Sequence, residues 1–144
     1  MSPSNRTREA APPSLEQLGA AIAGVPDGIE LAVAFGSLAR DEAHRGSDVD
    51  LAVRGSVDRA ALAAALSRAL HVEVDVVDLD TPDLVLLNEI VRDGRCVAER
   101  APGSYARFRS AALATLETDL PLIRLQQEAF LARLARSGVR GGSG

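Results

Sequence analysis

The sequence predicts an α/β (α+β) fold: a small mixed β-sheet flanked by helices, followed by a long C-terminal helix or helix pair. Three observations carry this. Short apolar or alternating runs at 29–35, 48–53 and 72–79 have the length and bounding residues of strands. Runs of helical period separate and follow them. A chain of 144 residues is about one domain's worth, long enough for all of them to share one core. Residues 14–137 are therefore expected to form a single domain, between a disordered Pro-containing arm over 1–13 and a flexible Gly-Ser tail over 138–144.

The elements follow in order. Ser14 with Gln17 three residues on forms a capping-box pattern. Leu15, Leu18 and Ile22 then share a helical face, and the helix should end near Gly24, before Pro26. Ile29–Phe35 (IELAVAF) is short, apolar apart from Glu30 and bounded by Gly28 and Gly36, as a buried strand would be. Leu38 to about Ala43 has room for one or two helical turns. Asp48–Val53 alternates, with Asp48, Asp50 and Ala52 on one face and Val49, Leu51 and Val53 on the other. Ser56 or Asp58 caps a helix to Leu70 that aligns Leu62, Leu66 and Leu70. Val72–Leu79 is a third strand, with Glu73, Asp75 and Val77 on one face. Pro82 is expected at the first position of a helix ending near Asp93–Gly94, and Cys96–Glu99 as a short edge strand. From Ser104 to about Ser137 the residues Tyr105, Phe108, Ala112, Leu116, Leu120, Ile123, Phe130 and Leu134 form an apolar stripe, which Pro121 should kink or split.

Composition narrows the chemistry. All sixteen basic residues are Arg, which excludes a Walker-A lysine, a Schiff-base lysine and a lysine general base. One Cys excludes an intrachain disulfide and a Cys-rich zinc site, and two His leave little for a His-rich metal site. The twenty acids remain as candidates. A net charge of −4 and 3% aromatics argue against nucleic-acid binding. No apolar run approaches a membrane span and the N-terminus has no apolar h-region, so a cytoplasmic protein is expected.

Three features then converge. Gly36-Ser37 follows a strand, where glycine permits a tight turn and the next N–H groups are free to meet a phosphate, with the Ser37 hydroxyl as a further donor. Asp48 and Asp50 point to one strand face roughly 6–7 Å apart. They either line a solvated edge or share a hard divalent ion, Mg2+ or Mn2+, since Asp is a poor strand former and like charges this close repel. Asp75 sits mid-strand in another apolar run. If its strand neighbours that of Asp50, three carboxylates beside a phosphate-cradling turn make a two-metal phosphoryl-transfer site, with Asp75 able to accept a proton.

Gly36-Ser37-Leu38-Ala39-Arg40 followed by Ser47-Asp48-Val49-Asp50-Leu51, with Val74-Asp75-Val76-Val77-Asp78 beyond, resembles the pattern of the polymerase-β-like nucleotidyltransferases. The short chain is most similar to the minimal nucleotidyltransferases, in particular the MntA-type antitoxins of HEPN/MNT (type VII) toxin–antitoxin pairs. The resemblance spans about Leu31 to Leu134 and departs at Asp41, where glycine is common, and in the loop Ala43-His44-Arg45-Gly46. It implies a nucleotidyltransferase fold and an adenylyltransferase that uses Mg2+ and ATP to place AMP on a tyrosine of a cognate HEPN ribonuclease toxin. Asp48, Asp50 and Asp75 would be the catalytic, metal-binding carboxylates, with Asp75 as base. Gly36 and Ser37 would hold the triphosphate. Arg40 would either pair with a phosphate or face solvent, and Ser47 would either bond a ligand or cap a turn. Two other uses of the fold stay open: transfer to a small molecule of aminoglycoside type, and neutralisation of a partner by binding alone. His44 and His71 read as surface residues, Asp78 as a turn residue, Glu73 as a strand end, Cys96 as a small hydrophobe and Tyr105 as packing.

Overall fold

The structure, a computed structural model, describes residues 11–25 and 28–143; the side chains of 120, 122, 123 and 137–143 lie outside the description. Residues 1–10 of the expected arm and 144 of the expected tail likewise lie outside it. The elements are α1 (Leu15–Ala23), β1 (Ile29–Phe35), β2 (Val49–Gly55), α2 (Arg59–Leu70), β3 (Val74–Asp78), α3 (Leu84–Asp93), β4 (Arg95–Glu99) and α4 (Ser104–Ser143). The sheet is mixed and runs β3-β2-β1-β4. β1 is antiparallel to both β2 and β4, while β2 and β3 are parallel, joined through α2 as a parallel pair requires.

Strand alternation sorts the core into two layers. Ala32 and Ala34 of β1 join Val49, Leu51 and Val53 of β2 under α1 and α2, with Leu18, Ile22, Leu62 and Leu66. Leu31, Val33 and Phe35 join Ala52 under α3 and α4, with Leu87, Ile90, Phe108, Ala112 and Leu116. Each fully buried leucine or isoleucine among them is worth about 1.5–3 kcal/mol of apolar transfer. β1 lies between two partners and under both layers, so its apolar run is the centre of the molecule.

The helix ends follow local chemistry. Ser14 and Gln17 make the reciprocal capping box. Asp58 caps α2 by accepting from the Ala61 N–H. The start of α3 differs from expectation: Asp83, not the turn ahead of Pro82, is the cap, and it accepts from the Leu86 N–H at 2.8 Å. Thr81 stays in the turn after β3: its hydroxyl donates to Asp78, which also accepts from the Asp80 N–H. Those bonds hold the Asp78 carboxyl below its ordinary range. β3 covers only Val74–Asp78 of the expected 72–79.

α4 corrects one half of a second expectation, that Pro121 would split it. It runs through Pro121 as one helix. Proline's fixed φ is itself helical; the loss is one N–H and a clash with the preceding turn, about 3 kcal/mol, set against a long run of Ala, Leu, Gln, Glu and Arg on either side. The helix extends past Ser137 to Ser143. Its stripe is core only at the beginning. Phe108, Ala112 and Leu116 are buried, whereas Phe130 and Leu134 are 53% and 50% exposed; the side chains of Leu120 and Ile123 lie outside the description. Glu99, at the end of β4, anchors the start of α4 by accepting from the N–H groups of Gly103 and Tyr105. Replacing it should therefore unfasten strand from helix. We expect Glu99→Ala to cost about 1 kcal/mol in urea denaturation, the scale of a lost helix cap, and Glu99→Gln, which keeps an acceptor, clearly less. Equal stability of all three proteins would contradict this.

Candidate functional site

The site forms where β1 ends and β2 and β3 begin. Gly36 leaves β1 with φ of 76°, and a Cβ there would run into the Asp50 carboxylate. A glycine is thus required twice, for backbone and for space. The next residues make a single turn, where one or two helical turns were expected. The Arg40 N–H donates to the Gly36 carbonyl, the Asp41 N–H to Leu38 and the Glu42 N–H to Ser37. The last two bonds, with Asp41 at φ of 60°, are those of a Schellman closure. Asp41 thus occupies the left-handed position where glycine is usual, and this is why the helix stops. Leu38 and Ala39 are buried, which pins the turn to the core. The first donor within the turn is Arg40, so the amides of Ser37, Leu38 and Ala39 have no acceptor in it.

The register sets the carboxylates. Phe35 of β1 pairs with Asp50, and Asp50 pairs with Asp75 across the parallel β2–β3 ladder. Asp50 and Asp75 are therefore neighbours on the face shared with Ala52, as alternation predicts. Asp48 stands exposed just before β2. Burial raises the Asp50 carboxyl above its ordinary range, and the charges of Asp75, Glu89 and Asp48 raise it further; Arg40 opposes them. Glu89 is a residue that sequence reading missed. It lies half-buried on α3, over the carboxylate face. The available signal was its spacing: Glu89 and Asp93 are i and i+4, a like-charge pair that disfavours a helix unless cations or a ligand compensate.

The other expected residues are placed as follows. Arg40 donates to Glu42 and, at 3.2 Å, to Asp93 on α3. Ser47 accepts from the His44 N–H at 2.8 Å and closes the loop before β2, the turn-cap alternative. Glu73 is exposed ahead of β3, and His44 and His71 are exposed. The Tyr105 hydroxyl donates to the Gly94 carbonyl, a packing role. Cys96 is half-buried, and burial pushes its thiol up, away from nucleophilic use.

The donor set is all oxygen and carries uncompensated negative charge, which fits a hard divalent cation. The expected convergence is partial. Among the described residues no three His, Cys, Asp or Glu side chains are gathered as a ready cation cage. Asp50 and Asp75 are paired by register, with Asp48 and Glu89 acting on Asp50 from around them.

A family model described as polymerase beta, nucleotidyltransferase, matches residues 20–102, from α1 through β4. The protein adenylyltransferase MntA of Shewanella oneidensis is 36% identical over 72 residues, covering 46% of this chain and 52% of that protein. The chain thus spans about half the length of the curated relative it matches. Among solved structures, a toxin–antitoxin crystal structure with AMP-PNP has a TM-score of 0.65 at 23% identity, over 84% of this chain and 98% of that one. The structure of a tri-AMPylated Shewanella oneidensis HEPN toxin with its MNT antitoxin has a TM-score of 0.60 at 21% identity, over 84% and 98%. At such identity these likenesses show a shared fold.

Two outcomes follow from the charge and the turn. Without metal, Asp50→Asn should melt above wild type, by about 2–4 °C for each kcal/mol of repulsion relieved. A carboxyl raised in the folded state favours folding in acid and loses that advantage as pH rises through its titration, so the gap should close in acid and open toward neutral pH. Added Mg2+ should then raise the wild-type melting temperature more than that of the variant. Asp41→Gly should stabilise by about 0.5–1 kcal/mol by relieving the left-handed residue, and Asp41→Val should destabilise. Thermal melts of the four proteins, with pH varied for Asp50, decide both.

Proposed function

The chain belongs to the polymerase beta nucleotidyltransferase family, and from that we propose that it is a protein adenylyltransferase antitoxin: it transfers AMP from ATP to a hydroxyl, that of a tyrosine, on a cognate HEPN ribonuclease toxin. The observation that carries the reading is the register of Asp50 with Asp75 beside the Gly36–Ser37 turn. The curated relative bears the name of this activity, and the structural neighbours hold MNT antitoxin with HEPN toxin, one of them tri-AMPylated. A cytoplasmic place of action goes with ATP as donor.

The residues divide the work. Asp48, Asp50 and Asp75 hold Mg2+, or Mn2+, which supplies positive charge against both the carboxylates and the phosphates when bound. The amides of Ser37 to Ala39 and the Ser37 hydroxyl face the triphosphate. They are preorganised because Gly36 fixes their approach and Leu38 fixes the turn. Arg40 adds a guanidinium at the turn's end, and Ser47 keeps its hydroxyl proton for a phosphate while its oxygen closes the loop. Asp75, exposed on the edge strand β3, is open to an incoming acceptor and takes its proton. The acceptor oxygen bonds the α-phosphorus, the bond to the β-bridging oxygen breaks, and pyrophosphate leaves with that electron pair.

The test is direct. The protein, its cognate toxin, ATP and Mg2+ are incubated and the intact toxin is weighed. Wild type should add AMP units to the toxin. Asp50→Asn should slow the addition by about 10²–10³-fold, the scale of losing one charge-stabilising group. Unmodified toxin with wild type, or equal rates for the variant, would overturn transfer. Toxin neutralised equally by an Asp50→Asn, Asp75→Asn double variant would assign neutralisation to binding alone.

A further inference from the structure

α3 ends on a residue that its own helix does not favour. Asp93 is the last residue of α3, with Gly94 as its C-cap. A carboxylate there faces the negative end of the helix dipole, where a cation is preferred. Its position is nevertheless tightly fixed. Ile90 and Val91 before it are buried, and at Gly94 a Cβ would run into the Ile90 carbonyl and the Val33 side chain, so the helix end is pressed against β1. The Asp93 side chain is 11% exposed and serves two cations. Arg92, its neighbour in the chain, donates at 3.0 Å from a side chain that is 62% exposed. Arg40, 53 residues away on the turn after β1, donates through Nη1 at 3.2 Å. These bonds, that of Arg92 foremost, hold the Asp93 carboxyl below its ordinary range, so it is charged at neutral pH.

The Arg40 guanidinium is thereby held from two sides. Its Nη1 meets Asp93, and its Nε meets Glu42 at 3.3 Å. Only the bond to Asp93 reaches outside the turn, because Glu42 belongs to the same loop and is exposed. The main chain of Arg40 closes the turn by donating to the Gly36 carbonyl. Its charge opposes those that Asp75, Glu89 and Asp48 exert on Asp50. An ion pair this near the surface adds little to stability. What it fixes is direction, because the donors of a guanidinium lie in one plane and act together only when that plane is held. The bond to Asp93 also ties α3, which brings Glu89 over the carboxylate face, to the turn that borders the same face.

We propose that Asp93 is a positioning residue: from the end of α3 it holds the Arg40 guanidinium in one orientation and so keeps the Gly36–Asp41 turn in its working shape during transfer. Its part in turnover rests on the adenylyl-transfer reading; its hold on the turn does not, and the two are measured separately. Wild type, Asp93→Asn, Arg40→Ala and the double variant are compared as full chains, with thermal melts to show that each is folded. Without toxin or nucleotide, amide hydrogen exchange is followed by NMR at Asp41 and Glu42, whose N–H groups close the turn onto Leu38 and Ser37. Asp93→Asn should speed exchange there by about threefold or more and leave the buried core around Leu18 and Leu66 unchanged. With cognate toxin, ATP and Mg2+, the same variant should lose about tenfold in kcat with the KM for toxin unchanged, inside the roughly hundredfold that a 1 Å misplacement can cost. In the Arg40→Ala background Asp93→Asn should add nothing to either measurement, since its target is gone. Asp93→Glu, which keeps the charge, should recover part of both losses, and Arg92→Ala, which leaves the bond to Arg40 in place, should match wild type. Unchanged exchange at the turn in Asp93→Asn overturns the proposal. So does unchanged transfer by that variant beside an active wild type, an equal effect with and without Arg40, or a loss in Arg92→Ala as large as in Asp93→Asn. Faster exchange at the turn together with a wild type that adds no AMP to its toxin would instead sink the transfer reading and leave the hold of Asp93 on the turn standing.

Discussion

The register of β2 between β1 and β3 is the constraint from which the site follows. A strand has period two, so a slip of one residue would carry Asp50 to the face of α1 and α2 and bring Val49 to the carboxylate face. What prevents the slip is apolar: Val49, Leu51 and Val53 are all buried in one layer, and Ala52 in the other. The core thus spends its specificity on aiming a carboxylate. Gly36 completes the arrangement by letting the backbone of β1 end against that carboxylate where any side chain would collide with it.

The features legible in the sequence are those in which local period and chemistry agree. The strands around Phe35, Asp50 and Asp75 are short, apolar on one face and bounded by breakers, and alternation sets Asp50 opposite Val49 and Leu51 and Asp75 opposite Val74 and Val76; that the two carboxylates share a side follows only from the pairing of β2 with β3. The Ser14 box is equally local. The unexpected features required knowledge of which neighbour competes. Pro82 is a good helix opener, but Thr81 already belongs to the Asp78 turn, and Asp83 caps instead. Pro121 should break a helix by local rule, yet the helix on either side outweighs one lost bond. Glu89 has no local mark beyond its spacing to Asp93, because its place over Asp50 exists only once α3 packs on the sheet.

The two ends of α4 behave differently for a related reason. Near Phe108 and Leu116 the apolar stripe has a sheet and α3 beneath it, and it is core. Further on the same periodicity continues through Leu125, Phe130, Leu131 and Leu134, all at least half exposed, beyond the reach of either core layer. Helical period tells which residues share a face; it does not tell whether the domain is long enough to cover that face.

The absence of lysine has a consequence for how the site responds to its surroundings. Arginine stays protonated at any pH a cell reaches, and neither histidine is among the charges that act on Asp50. The guanidinium charges among them are therefore constant through the neutral and alkaline range. The molecule therefore carries a fixed electric profile across its sheet end, negative at β2 and β3 and positive toward β4. Within that range the arginine part of this potential is altered by the charge of whatever arrives.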